Sequence, residues 1–323
     1  STRAGLAITP NDPYFSTYQW NMRKINGPQA WDLSTGSSSV ILGVMDTGID
    51  YGHPDFSCAG KLVAGYDFYN NDSNPQDDDG HGSHVAGVVG SCSNNAVGVA
   101  GVNWNVKIMP VKVIGASGYG SVSAEINGIT WAVNHGAKVL NLSLGSADYS
   151  QSERDAVDYA YNHSVLVVAS AGNEYQEGNP ITYPAAYDHA LAVAATGDLD
   201  EHAAYSNAGS YVDVAAPGGN PTSNYDTTPG HWIMSTYWRG GGYSYAQMAG
   251  TSMAAPHVAG LAALIRGINP ALTPDQVQAI IQNTAVDIGT VGRDNYFGSG
   301  RINMQAAVTA AIGSMSTPTR TQT

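Results

Sequence analysis

Gly250-Thr251-Ser252-Met253-Ala254-Ala255-Pro256-His257-Val258-Ala259-Gly260 is the stretch around which the chain is organised. Ser252 opens an apolar, alanine-rich run whose pattern predicts a buried helix through about residue 266. A serine there has its hydroxyl at the positive end of a helix dipole, beside backbone N–H groups that lack an intrahelical acceptor. Such donors can hold an oxyanion, which acyl transfer to a serine requires. Read in isolation, the Thr-Ser pair is more simply a helix cap. The distinction rests on whether the rest of the chain supplies a base and an acid.

Working outward, Val40-Ile41-Leu42-Gly43-Val44-Met45 is a short continuous apolar run, suited to a strand covered on both faces, and it ends in the turn Asp46-Thr47-Gly48. Further strands are expected at 61–68, 106–114, 137–143, 165–169, 190–194 and 211–215. Between them, His81 opens a small-residue helix to about residue 90. Val122, Ile126, Ile129 and Val133 recur at helical spacing, and 152–163 makes a more polar crossover helix. Thr273-Pro274-Asp275-Gln276 is a helix start with a capping-box pattern, its helix running to about 284, and a last helix is expected over 303–312. Strand–helix alternation implies an α/β fold, a mostly parallel central sheet with helices on both faces. With no linker or repeat, a single domain over 1–313 is expected, with 1–36 as an arm packed on it and the Ser/Thr/Pro-rich 314–323 as a disordered tail.

The composition narrows the function. A net charge of −13 argues against nucleic acid and anionic membranes as partners and is compatible with divalent cations. No apolar run approaches the ~20 residues that span a bilayer. Cys58 and Cys92 form no CxxC; they are either a single disulfide, favoured by an extracellular setting, or two buried thiols. The start at Ser1, without methionine or signal peptide, is expected to mark a mature, processed form.

Asp46 after a strand, with His81 and Ser252 at helix starts, are all at loop ends, where open parallel sheets bind ligands. A serine, an imidazole to take its proton and a carboxylate to orient the imidazole make a nucleophilic triad. Val44-Met45-Asp46-Thr47-Gly48-Ile49-Asp50, Asp79-Gly80-His81-Gly82-Ser83-His84-Val85-Ala86-Gly87 and the Ser252 block resemble the three signature blocks of the subtilisin-like serine proteases, in the same Asp, His, Ser order. The resemblance spans essentially the whole chain. The block Thr9-Pro10-Asn11-Asp12-Pro13-Tyr14-Phe15 points to the thermitase-like branch of that family.

The resemblance implies a three-layer subtilisin-like fold and a secreted, calcium-stabilised, monomeric serine endopeptidase acting on proteins and peptides after removal of its own pro-segment. It makes Ser252 the nucleophile, His81 the general base and then acid, Asp46 its orienter, and Asn173 the side-chain donor of the oxyanion hole. His84 matches the family's non-catalytic histidine. An extended substrate is expected to pair with Ser117-Gly118-Tyr119-Gly120 and Ser143-Leu144-Gly145. The pocket for the residue before the scissile bond is expected between 143–145 and Ala169-Ser170-Ala171-Gly172. Those small, mostly uncharged residues imply broad specificity with a preference for large apolar side chains, and Glu174 at the rim would also admit a basic one.

Oxygen side chains at Asp67, Asn70, Asp72, Asn74 and Gln76 recur at the short intervals a hard cation favours, although on composition alone they read more readily as a solvated turn cluster. The resemblance makes them a calcium loop. It implies a second, tighter site from Asp12, Asp55 and Asn95 with the carbonyls of Cys92, Val97 and Val99, and a weak cation site from carbonyls around Ala185, Tyr187 and Ala190. The family's pattern provides no counterpart for the two cysteines, and a bridge between them would reinforce the tight site. The stretch 218–232 is an insertion expected to shape the leaving-group side of the cleft. Two rivals remain at this point. A metallohydrolase could use Asp77, Asp78, Asp79, His81 and His84, though no His-Glu-x-x-His exists. An inactive member of the fold could serve as a binding module. The Ser252 block also fails the G-x-S-x-G pattern of α/β-hydrolases.

Overall fold

The computed structural model describes residues 7–315. The chain begins with three short helices, α1 (Phe15–Tyr18), α2 (Trp20–Lys24) and α3 (Gly27–Trp31), and then enters β1 (Ile41–Asp46). There follow β2 (Tyr66–Asp67), α4 (His81–Gly90), β3 (Lys107–Lys112), α5 (Val122–Asn134), β4 (Val139–Leu142), α6 (Gln151–Asn162) and β5 (Leu166–Ser170). The second half holds β6 (Ala190–Thr196), β7 (Val214–Pro217), β8 (Ile233–Arg239), β9 (Gly242–Met248), α7 (Thr251–Ile268), α8 (Pro274–Asn283) and α9 (Met304–Ser314). Strands β1 to β7 form one parallel sheet in the order β2-β3-β1-β4-β5-β6-β7.

Strand residues alternate between two cores. Leu42, Val44, Val139, Leu166 and Val168 join the cluster under α4, α7 and α9; Met45, Leu140, Leu142, Val167 and Ala169 join the cluster under α5 and α6. Both faces are covered, which is why these strands read as unbroken apolar runs. The first segment is more than an arm laid on the surface. Phe15, Met22, Ile25, Ala30 and Trp31 are buried in the first of these cores. Most of the expected tail lies outside the described residues, but Ser314 closes α9, and its hydroxyl donates to Ala311 O at 2.6 Å.

Two expectations about strands change. The segment 61–68 pairs with β3 only in pieces: Ile108 N donates to Lys61 O, Val63 N to Ile108 O, and Phe68 N to Lys112 O. The missing rung falls at Pro110, which has no N–H to donate toward this edge. The second change is the antiparallel hairpin of β8 and β9, which the sequence pattern did not indicate. It follows the 218–232 stretch and packs on α4. That stretch is organised by Asp226, whose carboxylate accepts from Thr222 N, Thr228 N and His231 Nδ1.

The order in which strands are added across the sheet reverses at β1. From β1 the order grows outward through β3 to β2 on one side, then resumes with β4 on the other. The carboxyl ends of β1 and β4 therefore flank a switch point, where an open parallel sheet leaves a crevice.

Candidate active site

That crevice brings together the residues singled out from the sequence. Asp46 is the last residue of β1 and is fully buried; its Oδ1 accepts from Thr47 N at 2.7 Å and from His81 Nδ1 at 2.7 Å. His81 starts α4, held there by Gly80, whose positive φ and close approach to the Tyr237 ring leave no room for a side chain. Asp77 fixes the loop before it. Its two oxygens accept from Thr47 Oγ1, Asp79 N, Gly80 N, Ser83 N and Ser83 Oγ. A carboxylate so committed to its own loop is a scaffold and not a free metal ligand, which weakens the metallohydrolase reading. Among the described residues, no three His, Cys, Asp or Glu side chains gather as a metal cluster.

Ser252 is the second residue of α7. Pro256, four residues on, has no N–H, so the Ser252 carbonyl is left without its helical donor. Ser143 Oγ, just past β4, donates to that carbonyl at 2.8 Å, and Ser252 Oγ donates to Ser143 O at 3.2 Å. The helix start is thus tied to the switch point. Ser252 and His81 line one cleft but are not hydrogen-bonded to each other in this conformation, as is common before substrate tightens such a site.

Asn173 follows Gly172 in the loop after β5. Its Oδ1 accepts from Thr251 N and Thr251 Oγ1, both at 2.9 Å. Those two donors fix the amide so that Nδ2 is the free end, beside the Ser252 backbone N–H at the start of α7. In subtilisin, one such donor is worth about 2.7–4 kcal/mol of barrier.

Protonation follows from the surroundings. Burial pulls the His81 pKa down, but the Asp46 carboxylate, with Asp79 and Asp77 nearby, outweighs it and the net shift is upward. His84, one turn further along α4, is fully buried and held neutral. Burial, with His81 close by, lowers its pKa to about 3. Its Nε2–H is shared between Ile233 O and Ala246 O, clamping the β8–β9 hairpin to α4.

The cleft has a volume of about 500 Å³. Of the residues expected to bind substrate, Gly118, Tyr119, Gly120, Ser143, Leu144, Gly145, Ser170, Gly172 and Glu174 line it. Three do not. Ser117 lies outside its lining, while Ala169 and Ala171 are fully buried beneath it, one facing the α5/α6 core and the other a small cluster with Ala215 and Phe297. Glu174 Oε2 accepts from Asn173 N and Asn207 Nδ2, so it is tied to the loop at the rim.

Glu125 and Glu153 also line the cleft, and the sequence reading did not single them out. The available signal was a charged residue on an apolar stripe. Glu125 falls four residues before Ile129 on the buried face of α5.

The two carboxylates of the expected tight cation site come together. Asp12 and Asp55 are buried, and each has one oxygen, Oδ1, with no partner. Around them, Val99 N donates to Asp55 Oδ2, Asn94 N to Asp12 Oδ2, and Val97 N to Asn95 Oδ1. Burial pushes the Asp55 carboxyl up to about 7, with Asp12 adding to the rise, and it raises Asp12 as well. Orphaned, mutually repelling carboxylates of this kind fit a hard cation. In the 67–76 loop the donors are differently engaged. Asp67 accepts from Tyr69 N, Asn70 N and Asn70 Nδ2; Asp72 accepts from Asn74 N; Gln76 bonds Tyr51 N and Asp50. These bonds order the loop, while Asp72 Oδ2 and the Asn74 side chain form none of them. The carbonyl site around Ala185, Tyr187 and Ala190 lines a separate cavity into which Arg293 also projects. Cys58 and Cys92 are bridged. Their 34-residue separation corresponds to about 3.8 kcal/mol of loop-closure stabilisation.

Fold and site together define a serine hydrolase of the Asp-His-Ser type on a parallel α/β sheet. Residues 37–300 match the subtilase family, and the chain belongs to that family. It is 44% identical to thermitase of Thermoactinomyces vulgaris, over 93% of this chain and 99% of that one. It is 40% identical to subtilisin Savinase of Lederbergia lenta, over 89% and 97%. Among solved structures, a protease of Pseudoalteromonas arctica superposes with a TM-score of 0.85 at 35% identity, covering 94% of this chain and all of that one. The protein is a serine endopeptidase, a hydrolase.

Proposed function

We propose that the chain is a single catalytic domain that is secreted and stabilised by calcium, and that it cleaves proteins with broad specificity through an acyl-enzyme on Ser252. The observation that carries the catalytic assignment is the buried Asp46–His81 hydrogen bond at 2.7 Å, opening on the cleft that Ser252 lines. The Ser252 hydroxyl attacks the scissile carbonyl carbon while His81 Nε2 takes its proton. Asp46 holds Nδ1–H and stabilises the imidazolium. The negative charge that develops on the carbonyl oxygen is held by the Ser252 N–H and Asn173 Nδ2. Collapse expels the amine, which receives the proton from His81 and leaves the acyl-enzyme. Water then repeats the sequence and regenerates Ser252.

Substrate pairing along 118–120 and 143–145 accounts for broad specificity, since backbone hydrogen bonds give affinity with little side-chain discrimination. The small side chains near the nucleophile favour a large apolar residue before the scissile bond. A structural calcium ion would be held by Asp12, Asp55, Asn95 and the carbonyls of Cys92, Val97 and Val99. Secretion is consistent with the disulfide, and among the described residues no helix is long and apolar enough to cross a membrane.

The test is labelling with a fluorophosphonate probe followed by peptide mapping. Label on Ser252, lost in a His81→Ala variant, is the expected result. A folded protein that takes no label has no assembled triad, and the catalytic assignment then fails.

A further inference from the structure

The cleft extends beyond the catalytic residues to an inner end closed by two carboxyl groups. Glu125 comes from the first turn of α5 and Glu153 from the first turn of α6, two helices that pack together on the same face of the sheet. They are only 7% and 5% exposed, yet both line the cleft that holds Ser252 and His81. Tyr187 donates its hydroxyl to Glu153 Oε2 at 2.6 Å and so fixes that side chain. Glu125 Oε1 has no hydrogen-bond partner. Among the described residues, no lysine, arginine or histidine forms an ion pair with either glutamate. Burial first, and then the neighbouring Glu153, drives the Glu125 carboxyl well above the ordinary range, so Glu125 holds its proton in the absence of a cation.

Acidic residues are favoured in the first turn of a helix by its dipole. That preference explains a glutamate on the solvent face of the turn. It does not explain two of them buried, neighbouring one another and lining a substrate cleft, because buried carboxylates are ordinarily paired.

We propose that this end of the cleft is a specificity subsite for a lysine or arginine side chain of the substrate, upstream of the scissile bond, with Glu125 and Glu153 receiving its charge. The incoming cation replaces the proton on Glu125 and supplies the missing partner for Glu125 Oε1. Its position along the substrate follows from the strand it would pair with. Ser143 touches Ser252, and Ser146, three residues on, lines the same cleft. At roughly 3.3 Å per residue that is a span of ~10 Å, which places the basic side chain about two to four residues ahead of the attacked carbonyl. The inference rests on reading the cleft as the peptide-binding site.

The experiment uses peptides with one fixed residue before the scissile bond and Lys, Arg, Leu or Glu placed in turn at the second, third and fourth positions upstream. Cleavage sites are confirmed by mass spectrometry. At one of these positions Lys and Arg should exceed Leu in kcat/KM by about tenfold or more, the size of a charge-assisted hydrogen bond, with Glu the poorest. In Glu125→Gln and Glu153→Gln variants the Lys/Leu ratio should fall toward one. A wild-type ratio at or below one at every position overturns the subsite, and this arm does not depend on the variants folding. A ratio that persists in both folded variants overturns the assignment to these residues. Cleavage that continues without basic preference separates this failure from failure of the protease reading, in which no peptide is cut and the serine probe does not react.

Discussion

Asp46 reaches His81 from the end of a strand, and their 2.7 Å hydrogen bond fixes both the tautomer and the charge preference of the imidazole. Because the net shift raises the His81 pKa above its ordinary 6.5, kcat/KM should rise with pH along an acid limb whose midpoint lies above that value. With neutral imidazole as the proposed base, activity should be lost as pH falls through the limb. An Asp46→Asn variant removes the strongest influence raising the His81 pKa. It should lower the rate by about 10⁴ and move the limb to lower pH. A pH–rate profile of the variant checks this, and a limb left in place would mean that Asp46 does not act on His81. At this scale the triad was legible because each residue lies inside a long local motif. Asp77 was not, since its role is to bond five donors drawn from three separate places in the loop and in α4. Glu125 and Glu153 were missed for a related reason. They come together only through the packing of α5 on α6, which neither helix's own sequence encodes.

At the scale of elements, α4 and α7 carry the two histidines that bond neither substrate nor a carboxylate. His257 donates Nδ1–H to Met253 O at 2.8 Å and accepts Asn21 Nδ2 at 2.7 Å, which joins α7 to α2. Burial lowers its pKa to about 4 and that of His84 to about 3. Both folded values lie below the unfolded value of about 6.5, so as pH falls the unfolded chain takes up protons first. Their stabilisation is whole above about pH 6.5 and is lost progressively as pH drops toward 4 and then 3. Each group contributes a slope of up to about 1.4 kcal/mol per pH unit. A His257→Asn substitution, made on a Ser252→Ala background to prevent self-cleavage, should flatten the fall of unfolding free energy between pH 6.5 and 4.5. Urea titrations across that range measure it, and an unchanged slope would refute the account. The helices and β1, β4, β5 and β6 were readable because each buries an unbroken or periodic apolar set. The β8–β9 hairpin escaped because its burial fades along β8 and stays partial through β9, so neither strand alternates cleanly. The edge segment at 61–68 misled for the opposite reason. Its residues suit a strand, but Pro110 on the neighbouring strand has no N–H to pair with it.

For the whole molecule, the question is what holds the N-terminal segment to the rest. Its side chains fill the core under α7, and its polar atoms meet the 94–98 loop. Asn11 N donates to Asn94 Oδ1, Ala96 N to Asn11 Oδ1, and Tyr14 N to Gly98 O. Into that junction the fold also buries Asp12 and Asp55, each with an unpartnered oxygen, in a chain that already carries a charge of −13. Two buried carboxylates repel each other and have lost their water, so without a counter-ion the junction works against itself. The calcium ion proposed there would convert that cost into a tie between segment and core, next to the Cys58–Cys92 bridge, which anchors the same loop. Binding to the folded chain alone stabilises by about 2.7 kcal/mol at a hundred times the dissociation constant. On the Ser252→Ala background, chelation should therefore lower the melting temperature, and calcium should restore it in a concentration-dependent way. Asp12→Ala should abolish most of that dependence, while Asp72→Ala should leave much of it, because Asp72 is exposed and lacks the buried, unpartnered oxygen of Asp12. Scanning calorimetry with and without calcium decides the matter. A melting temperature indifferent to chelation would remove calcium from the account, and a dependence kept in Asp12→Ala but lost in Asp72→Ala would place the ion in the loop and not at the junction.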